Sequence, residues 1–372
     1  MPKDIATAII TGPFFHGYVE QIGSAFTSNG VRVKTVVYKP NTTLISLLSS
    51  LNIKKSKEHL LQNTDKSNRN LDDSQKIFTP KERHDYFALS RYLNQLESFV
   101  REWKPSLVLF VRPDLIPLDF FFDLRKLSPS TKLVIWSTDP IRRFFVPQEM
   151  LEACEVVFLY DKEDVAYVNA HRANGVYLPM GFDERAYYLL PNSKQELHKI
   201  AFIGRISEER LTDLAYVANN INLYNRDYGI YGGYTNYFVR LRLWLQKDKP
   251  LLYAYSNYTR VNAYRAADIY RRTAVNLNIH QRGTRYGFNP RFFEIPAAGG
   301  FQIARYLPGM EEFFEPGKEV LYYESATDLC ELIKKYLKDV PERRRISALG
   351  ARRAHEQYSL KSRVRTLITH LS

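Results

Sequence analysis

The stretch LNIHQRGTRYGFNPRFFEIPAAGGFQIAR, Leu277–Arg305, decides how this chain is read. An apolar run opens it and a Gly- and Arg-bearing loop follows. Asn289 can N-cap a helix that has Pro290 at its first position, where the missing N–H costs nothing. Gly299-Gly300 ends that helix, and FQIAR reads as a strand. Pro296 lies inside the helix, which predicts a kink with the Phe292 carbonyl left free. A cationic loop aimed at a helix N-terminus is where an anion binds. The helix carries Arg291 and Glu294, and a carboxylate beside arginines suits a ligand with both phosphates and hydroxyls.

Outward from this stretch, strands and helices alternate. IATAIITG (Ile5–Gly12) is a buried strand. The next segment has helical spacing at Val19, Ile22 and Phe26, stops at Asn29-Gly30, and gives way to the strand VRVKTVVY. This β-α-β opening implies a parallel sheet. Residues 52–80 are polar, lysine-rich and aperiodic and read as an inserted loop. Tyr86–Trp103 is an amphipathic helix. SLVLFVRP (Ser106–Pro113) and KLVIWSTDP (Lys132–Pro140) are buried strands ending at Arg112 and Asp139. Ligands of open parallel sheets bind beyond such ends. CEVVFLYD (Cys154–Asp161) is a further strand, and Pro191–Leu197 reads as a linker. KIAFIGR then opens a second unit, with Gly204-Arg205 after the strand and Arg210 in the helix that follows. Gly204 permits close backbone approach, and the arginines supply charge. Residues 235–262 are aromatic and basic and read as an insertion of unassigned role. The tail gives a helix with Ser325 as N-cap, then two amphipathic helices.

The totals agree with two domains. The chain has 372 residues, 45% of them hydrophobic, and only Cys154 and Cys330 as cysteines. Both cysteines lie in apolar settings, which argues against a disulfide framework and fits a reducing cytoplasm. The N-terminal apolar run is too short for a signal peptide, and no stretch approaches a membrane span. The net charge of +13 is uneven. Residues 1–190 hold 24 Lys/Arg against 22 Asp/Glu; residues 191–372 hold 29 against 18. A basic half suits nucleic acid, an anionic membrane surface or a phosphate-bearing ligand. No groove-reading pattern supports nucleic acid, and the sequence shows no Asp-x-Asp metal motif.

N-P-R-F-F-E-I-P-A-A-G-G (Asn289–Gly300) resembles the signature of the CgeB-like, spore-maturation-type glycosyltransferases, which belong to the GT-B group. The match extends more weakly over nearly the whole chain. The resemblance implies α/β architecture with two Rossmann-like, doubly wound domains facing across a cleft. It puts an acceptor-side domain at 1–190, a nucleotide-sugar-binding domain at 198–355, and a helix at 356–372 that crosses back to the first. In common retaining relatives two glutamates stand eight positions apart, and the second holds the donor ribose. Glu294 matches the second. The first position is Tyr286, which leaves open whether anomeric configuration is retained.

The resemblance further implies that Gly204, Arg205 and Arg210 hold the donor diphosphate, with His280, Arg285 and Arg291 at the entrance of the signature. It sets His16, Arg112, Asp139 and Arg142 on the acceptor side, with Asp139 and His16 as the catalytic candidates; Arg112 and Arg142 read also as binders of acceptor or donor phosphate or as partners of carboxylates. Asp139 reads equally as a turn-starting Asp before proline, and His16 as a helix-start polar residue. The expected partners are a nucleoside-diphosphate-sugar donor and a sugar, protein or lipid-linked acceptor. No cofactor, metal or nucleic acid is expected, and oligomeric state is left open. The expected location is the cytoplasm, with peripheral contact to the inner face of the membrane as the minor reading. Three alternatives stand beside the transferase: a non-catalytic nucleotide-binding relative, a GT-B-shaped sugar-nucleotide epimerase, and a nucleic-acid-binding protein.

Overall fold

The computed structural model describes residues 5–14, 17–39, 80–143, 146–190, 196–204, 208–222, 227–231, 261–280 and 286–372. The expected insertions at 52–80 and 235–262 lie outside these, apart from their last residues. So do His16, Arg205, Arg285 and most of the linker.

The first sheet takes β1 (Thr7–Pro13), β2 (Arg32–Tyr38), β3 (Leu107–Phe110), β4 (Lys132–Trp136), β5 (Val156–Leu159) and β6 (Gly175–Tyr177). Every pairing is parallel, in the order β2-β1-β3-β4-β5-β6. The second holds β7 (His198–Ile203), β8 (Tyr228–Tyr231), β9 (Thr273–Asn278), β10 (Gln302–Arg305) and β11 (Leu321–Tyr323), again parallel, in the order β11-β10-β9-β7-β8. The Val/Ile/Leu-rich runs read as strands are the buried strands of parallel sheets covered on both faces.

Each sheet reverses its order once, between β1 and β3 in the first and between β7 and β9 in the second. Such reversals open crevices at the carboxyl ends of the strands. In the first sheet Gly12 makes the close approach possible, since a Cβ there would meet the Val111 carbonyl at 2.2 Å. In the second, the crevice lies between Gly204, after β7, and His280, after β9.

The helices are α1 (Tyr18–Thr27), α2 (Pro80–Trp103), α3 (Leu118–Leu127), α4 (Gln148–Glu152), α5 (Lys162–Ala170), α6 (Glu208–Asn220), α7 (Ala263–Arg271), α8 (Arg291–Ala297), α9 (Ala326–Lys338), α10 (Val340–Gln357) and α11 (Leu360–Leu371). Ser325 caps α9 through its hydroxyl, which accepts from the Asp328 amide at 3.1 Å. Both cysteines are free and buried.

The two halves exchange core residues. Phe182, Ala186 and Tyr187, from the segment after β6, pack with Phe292, Phe293 and Tyr358. In return α11 buries Leu360, Val364, Leu367, Ile368 and Leu371 in the core that contains Val19, Phe26 and Trp136. That spacing is one helical face. Backbone bonds fasten the crossing: Phe182 N–H donates to the Tyr358 carbonyl at 3.3 Å and Leu360 N–H to the Phe182 carbonyl at 2.9 Å.

A second junction joins the β5-α5 turn to the signature loop. Asp161 caps α5, accepting from the Glu163 amide at 2.8 Å, and also accepts from the Tyr286 amide. Gly287 lies on the Tyr160 ring, where a Cβ would come within 2.5 Å. Lys162 pairs with Glu312 at 2.6 Å.

Candidate functional site

The signature helix departs from the sequence expectation at its start. Asn289 does not cap it. Asn289 Nδ2 instead donates to Asn278 Oδ1 at 2.8 Å and to His280 Nδ1 at 3.0 Å, and the helix begins at Arg291 with Pro290 in front of it. These bonds orient the amide by its donor end, and its Oδ1, the atom a cap would use, is buried without a hydrogen-bond partner. The helix end is as expected. Gly299 has φ +79°, its N–H reaches the Pro296 carbonyl at 2.8 Å, and Gly300 N–H reaches the Ile295 carbonyl at 2.9 Å, a Schellman motif. The Phe292 carbonyl that Pro296 leaves without a helical donor is approached by Gln302 Nε2 at 3.5 Å.

Gly204 and Arg291 meet at the switch point of the second sheet. A Cβ on Gly204 would lie 2.9 Å from Arg291 Nη2. Arg210 is buried beside them. Its Nε donates to the Ile279 carbonyl at 2.8 Å, and its guanidinium stands 5.9 Å from the Phe202 ring centroid. Arg305, at the end of β10, pairs with buried Asp213 at 3.2 Å, and the Tyr323 hydroxyl donates to the same oxygen at 2.8 Å.

His280 is 2% exposed, in this cationic setting. Burial, and then the charges of Arg210, Arg291 and Arg305, push its imidazole down to about 3, so it is neutral at physiological pH. With Nδ1 accepting from Asn289, the proton resides on Nε2, which is buried and has no partner.

Glu294 faces the same crevice. Burial raises its carboxyl to about 7, opposed by the Arg291 charge and by a hydrogen bond from the Tyr187 hydroxyl. Tyr187 comes from the crossing segment and stacks on Tyr270 with ring centroids 6.4 Å apart. Tyr18, the first residue of α1, has its hydroxyl pushed far up by burial. The charges of Glu294 and Asp139 act in the same sense and Arg291 opposes them. Tyr18 thus senses Asp139 from its own half and Arg291 and Glu294 from the other.

The remaining first-half candidates are engaged nearby. Arg112 has φ +67° and grips Asp114 through Nε at 3.1 Å and Nη2 at 2.7 Å. A non-glycine residue in that region at a strand end is stored strain of the kind found at functional sites. Arg142 pairs with Asp164 at 2.6 Å and Glu163 at 2.9 Å, and the Ile141 amide also donates to Asp164. These bonds tie Arg142 to α5 and give it a structural task. Tyr18 and Tyr187 carried no sequence signal, because each acts through a partner more than a hundred residues away; Asp161 reads locally as a helix cap, and its bond to the Tyr286 amide is the part the sequence hides. Among the described residues no group of three or more His, Cys, Asp or Glu could hold a metal ion.

Residues 221–369 match a family model described as glycosyl transferase-like. No curated protein matches the chain by sequence. Among solved structures, the chain is similar to sucrose-phosphate synthase from Thermosynechococcus elongatus, at 12% identity and TM-score 0.61, with 98% of each chain covered. It is also similar to Anabaena HepE in complex with UDP and glucose, at 10% identity and TM-score 0.59, covering 98% of this chain and 99% of that one. A glycosyltransferase from Rickettsia africae aligns at 13% identity and TM-score 0.58 over 98% of this chain and 97% of its own. The fold is GT-B, as the sequence reading expected.

Proposed function

We propose that this chain is a glycosyltransferase that moves a sugar from a nucleoside-diphosphate sugar to an acceptor hydroxyl without a metal ion. The observation that carries this reading is the constellation at the β7/β9 switch point. Arg291 lies there against Gly204, where a side chain would displace it, and the carboxylate of Glu294 and the buried guanidinium of Arg210 belong to the same group of charges around Arg291 and His280. Hydroxyls need the carboxylate as an acceptor, and a diphosphate needs the arginines. The glycosyl transferase-like match covers this half, and HepE, of the same fold, is described in complex with UDP and glucose.

In this reading Glu294 accepts from the ribose, while Gly204, Arg210, Arg291 and His280 face the diphosphate. Arg205 and Arg285, which flank the site in sequence, join them. Charge developing on the leaving diphosphate is neutralised by groups already in place, which is the main source of rate. The acceptor approaches from the first half, where Asp139 orients or deprotonates its hydroxyl, with His16 the other catalytic candidate of the sequence. Anionic oxygens bound by arginines need no divalent ion. The N-P-R-F-F-E-I-P-A-A-G-G run supports placing the chain in the CgeB-like group. No described helix is long and apolar enough to cross a membrane; a cytoplasmic site of action is part of the proposal.

The test is calorimetric titration with UDP, GDP, ADP, dTDP and CDP, in EDTA and in magnesium. One nucleotide should bind equally in both. Binding that needs magnesium would remove the metal-independent mechanism, and silence from all five would remove the donor site.

A further inference from the structure

Arg363 lies outside the cleft, on α11, whose apolar face belongs to the first-half core. Its guanidinium enters a set of second-half rings, 5.1 Å from the centroid of Tyr358, 5.5 Å from Phe293 and 5.9 Å from Phe313. Its Nε and Nη2 atoms are buried and neither has a hydrogen-bond partner. The Tyr177 hydroxyl, at the end of β6, is likewise buried and unpartnered. The Tyr177 ring stands 6.4 Å from Phe313, and Tyr177 and Arg363 act on each other electrostatically.

Aromatic faces attract a cation, but they satisfy none of its N–H groups. Nε–H and one Nη2–H point side by side along one edge of a guanidinium. Elsewhere in this chain that edge grips a carboxylate. Arg112 holds Asp114 at 3.1 and 2.7 Å, Arg185 holds Asp183 at 2.9 and 2.7 Å, and Arg345 holds Glu342 at 2.8 and 2.7 Å. The two carboxylates that act on Tyr177 are engaged: Glu312 with Lys162 at 2.6 Å, Asp161 with the amides of Glu163 and Tyr286. A buried charge without a counter-charge is costly to hold.

We propose that the Nε/Nη2 edge of Arg363 and the Tyr177 hydroxyl form a binding site for a small monovalent oxyanion of the carboxylate class. Two oxygens match the two parallel N–H groups, and one charge matches one guanidinium. The Tyr177 hydroxyl donates to a remaining lone pair. A phosphate would bring a second charge and further oxygens for which these three donors leave nothing. Because Arg363 stands on a helix of the first-half core and Phe293 adjoins Glu294, the anion fastens the crossing helix behind the signature helix. The site does not depend on the donor reading.

The test is thermal unfolding of the full chain in sodium formate against sodium chloride at matched ionic strength. A ligand of the folded state raises Tm in proportion to ln(1 + [L]/Kd), and the dependence on concentration gives Kd. We expect a formate-specific rise of a few degrees in the native chain. It should be lost in Arg363→Met and in Arg363→Lys, which keeps the charge but not the paired edge. Coincident formate and chloride curves in the native chain, or a formate rise that survives Arg363→Met, would overturn the site and leave water as the partner. If the Arg363 variants do not fold, Tyr177→Phe decides. Its formate Kd, fitted from the dependence of Tm on concentration, should rise several-fold, and an unchanged Kd overturns the proposal.

Discussion

The Arg291 guanidinium lies against the α-carbon of Gly204: a Cβ there would stand 2.9 Å from Nη2 and 3.0 Å from Cζ. This contact joins the end of β7 to the signature helix across the switch point of the second sheet, and it places a cation where a strand-end backbone can share a phosphate with it. The contact is open to substitution. Gly204→Ala should displace the guanidinium and weaken nucleoside-diphosphate affinity about tenfold, or ~1.4 kcal/mol. Calorimetry beside an unfolding curve reads it; unchanged affinity would mean that the position of Arg291 does not matter to the ligand.

Glu294 should bind the donor as a carboxylate. With its pKa raised to about 7, donor affinity should climb as pH rises through neutrality. A nucleotide sugar is the right probe, because its diphosphate does not titrate there. Glu294→Ala should weaken binding by about 1–3 kcal/mol, as for a lost hydrogen bond to a charged group. Glu294→Gln should flatten the pH profile. Tyr187→Phe removes a bond that favours the charged form and should move the rise to higher pH. A profile unaltered in the Gln variant would reassign the titration.

His280 and Glu294 should tilt stability in opposite directions. The folded state holds His280 neutral down to about 3, against an ordinary value of 6.5, so its contribution is present above 6.5 and lost as pH falls toward 3. Glu294 is raised from 4.5 to about 7, so its contribution is present below 4.5 and lost as pH rises through 7. Urea unfolding across this range should show His280→Gln with a shallower acid limb and Glu294→Gln with a shallower neutral one. An acid limb unchanged in His280→Gln would assign acid instability to other groups.

The junction at Gly287 should tolerate no side chain. A Cβ would meet the Tyr160 ring at 2.5 Å, so Gly287→Ala should cost about 1–3 kcal/mol through overpacking. Lys162→Met removes an exposed pair with Glu312 and should cost no more than about 1 kcal/mol. Unfolding free energies in the reverse order would place the strength of this junction in the ion pair.

Much of the fold could be read directly from the chain. Apolar runs of strand length alternate with helical spacing, which gives parallel sheets. Gly299-Gly300 marks a helix end that the structure builds as a Schellman motif. Arg112 and Asp139 lie in the turns just beyond β3 and β4, which end earlier, at Phe110 and Trp136, than the apolar runs indicated. Asn289 does not follow the capping rule, because the rule is local and the orientation of its amide is set by Asn278 and His280. Arg142 pairs with carboxylates, one of the readings its charge allowed, but which carboxylates, Glu163 and Asp164, only the packing of α5 decides.

The sequence by itself determined periodicity, turn chemistry and the residue types of the signature, because these depend on neighbours within a turn or two of the backbone. It set the alternation of strand and helix, the buried free cysteines and the choice of Glu294 and Arg291. Only the tertiary structure decided which charges meet. Tyr187 reaching Glu294, Tyr18 beside Asp139 and Arg291, Asp161 holding the Tyr286 amide and Arg363 caged by rings each join residues from distant parts of the chain. Such pairings follow from sheet order and helix docking, in which distance through space replaces distance along the chain.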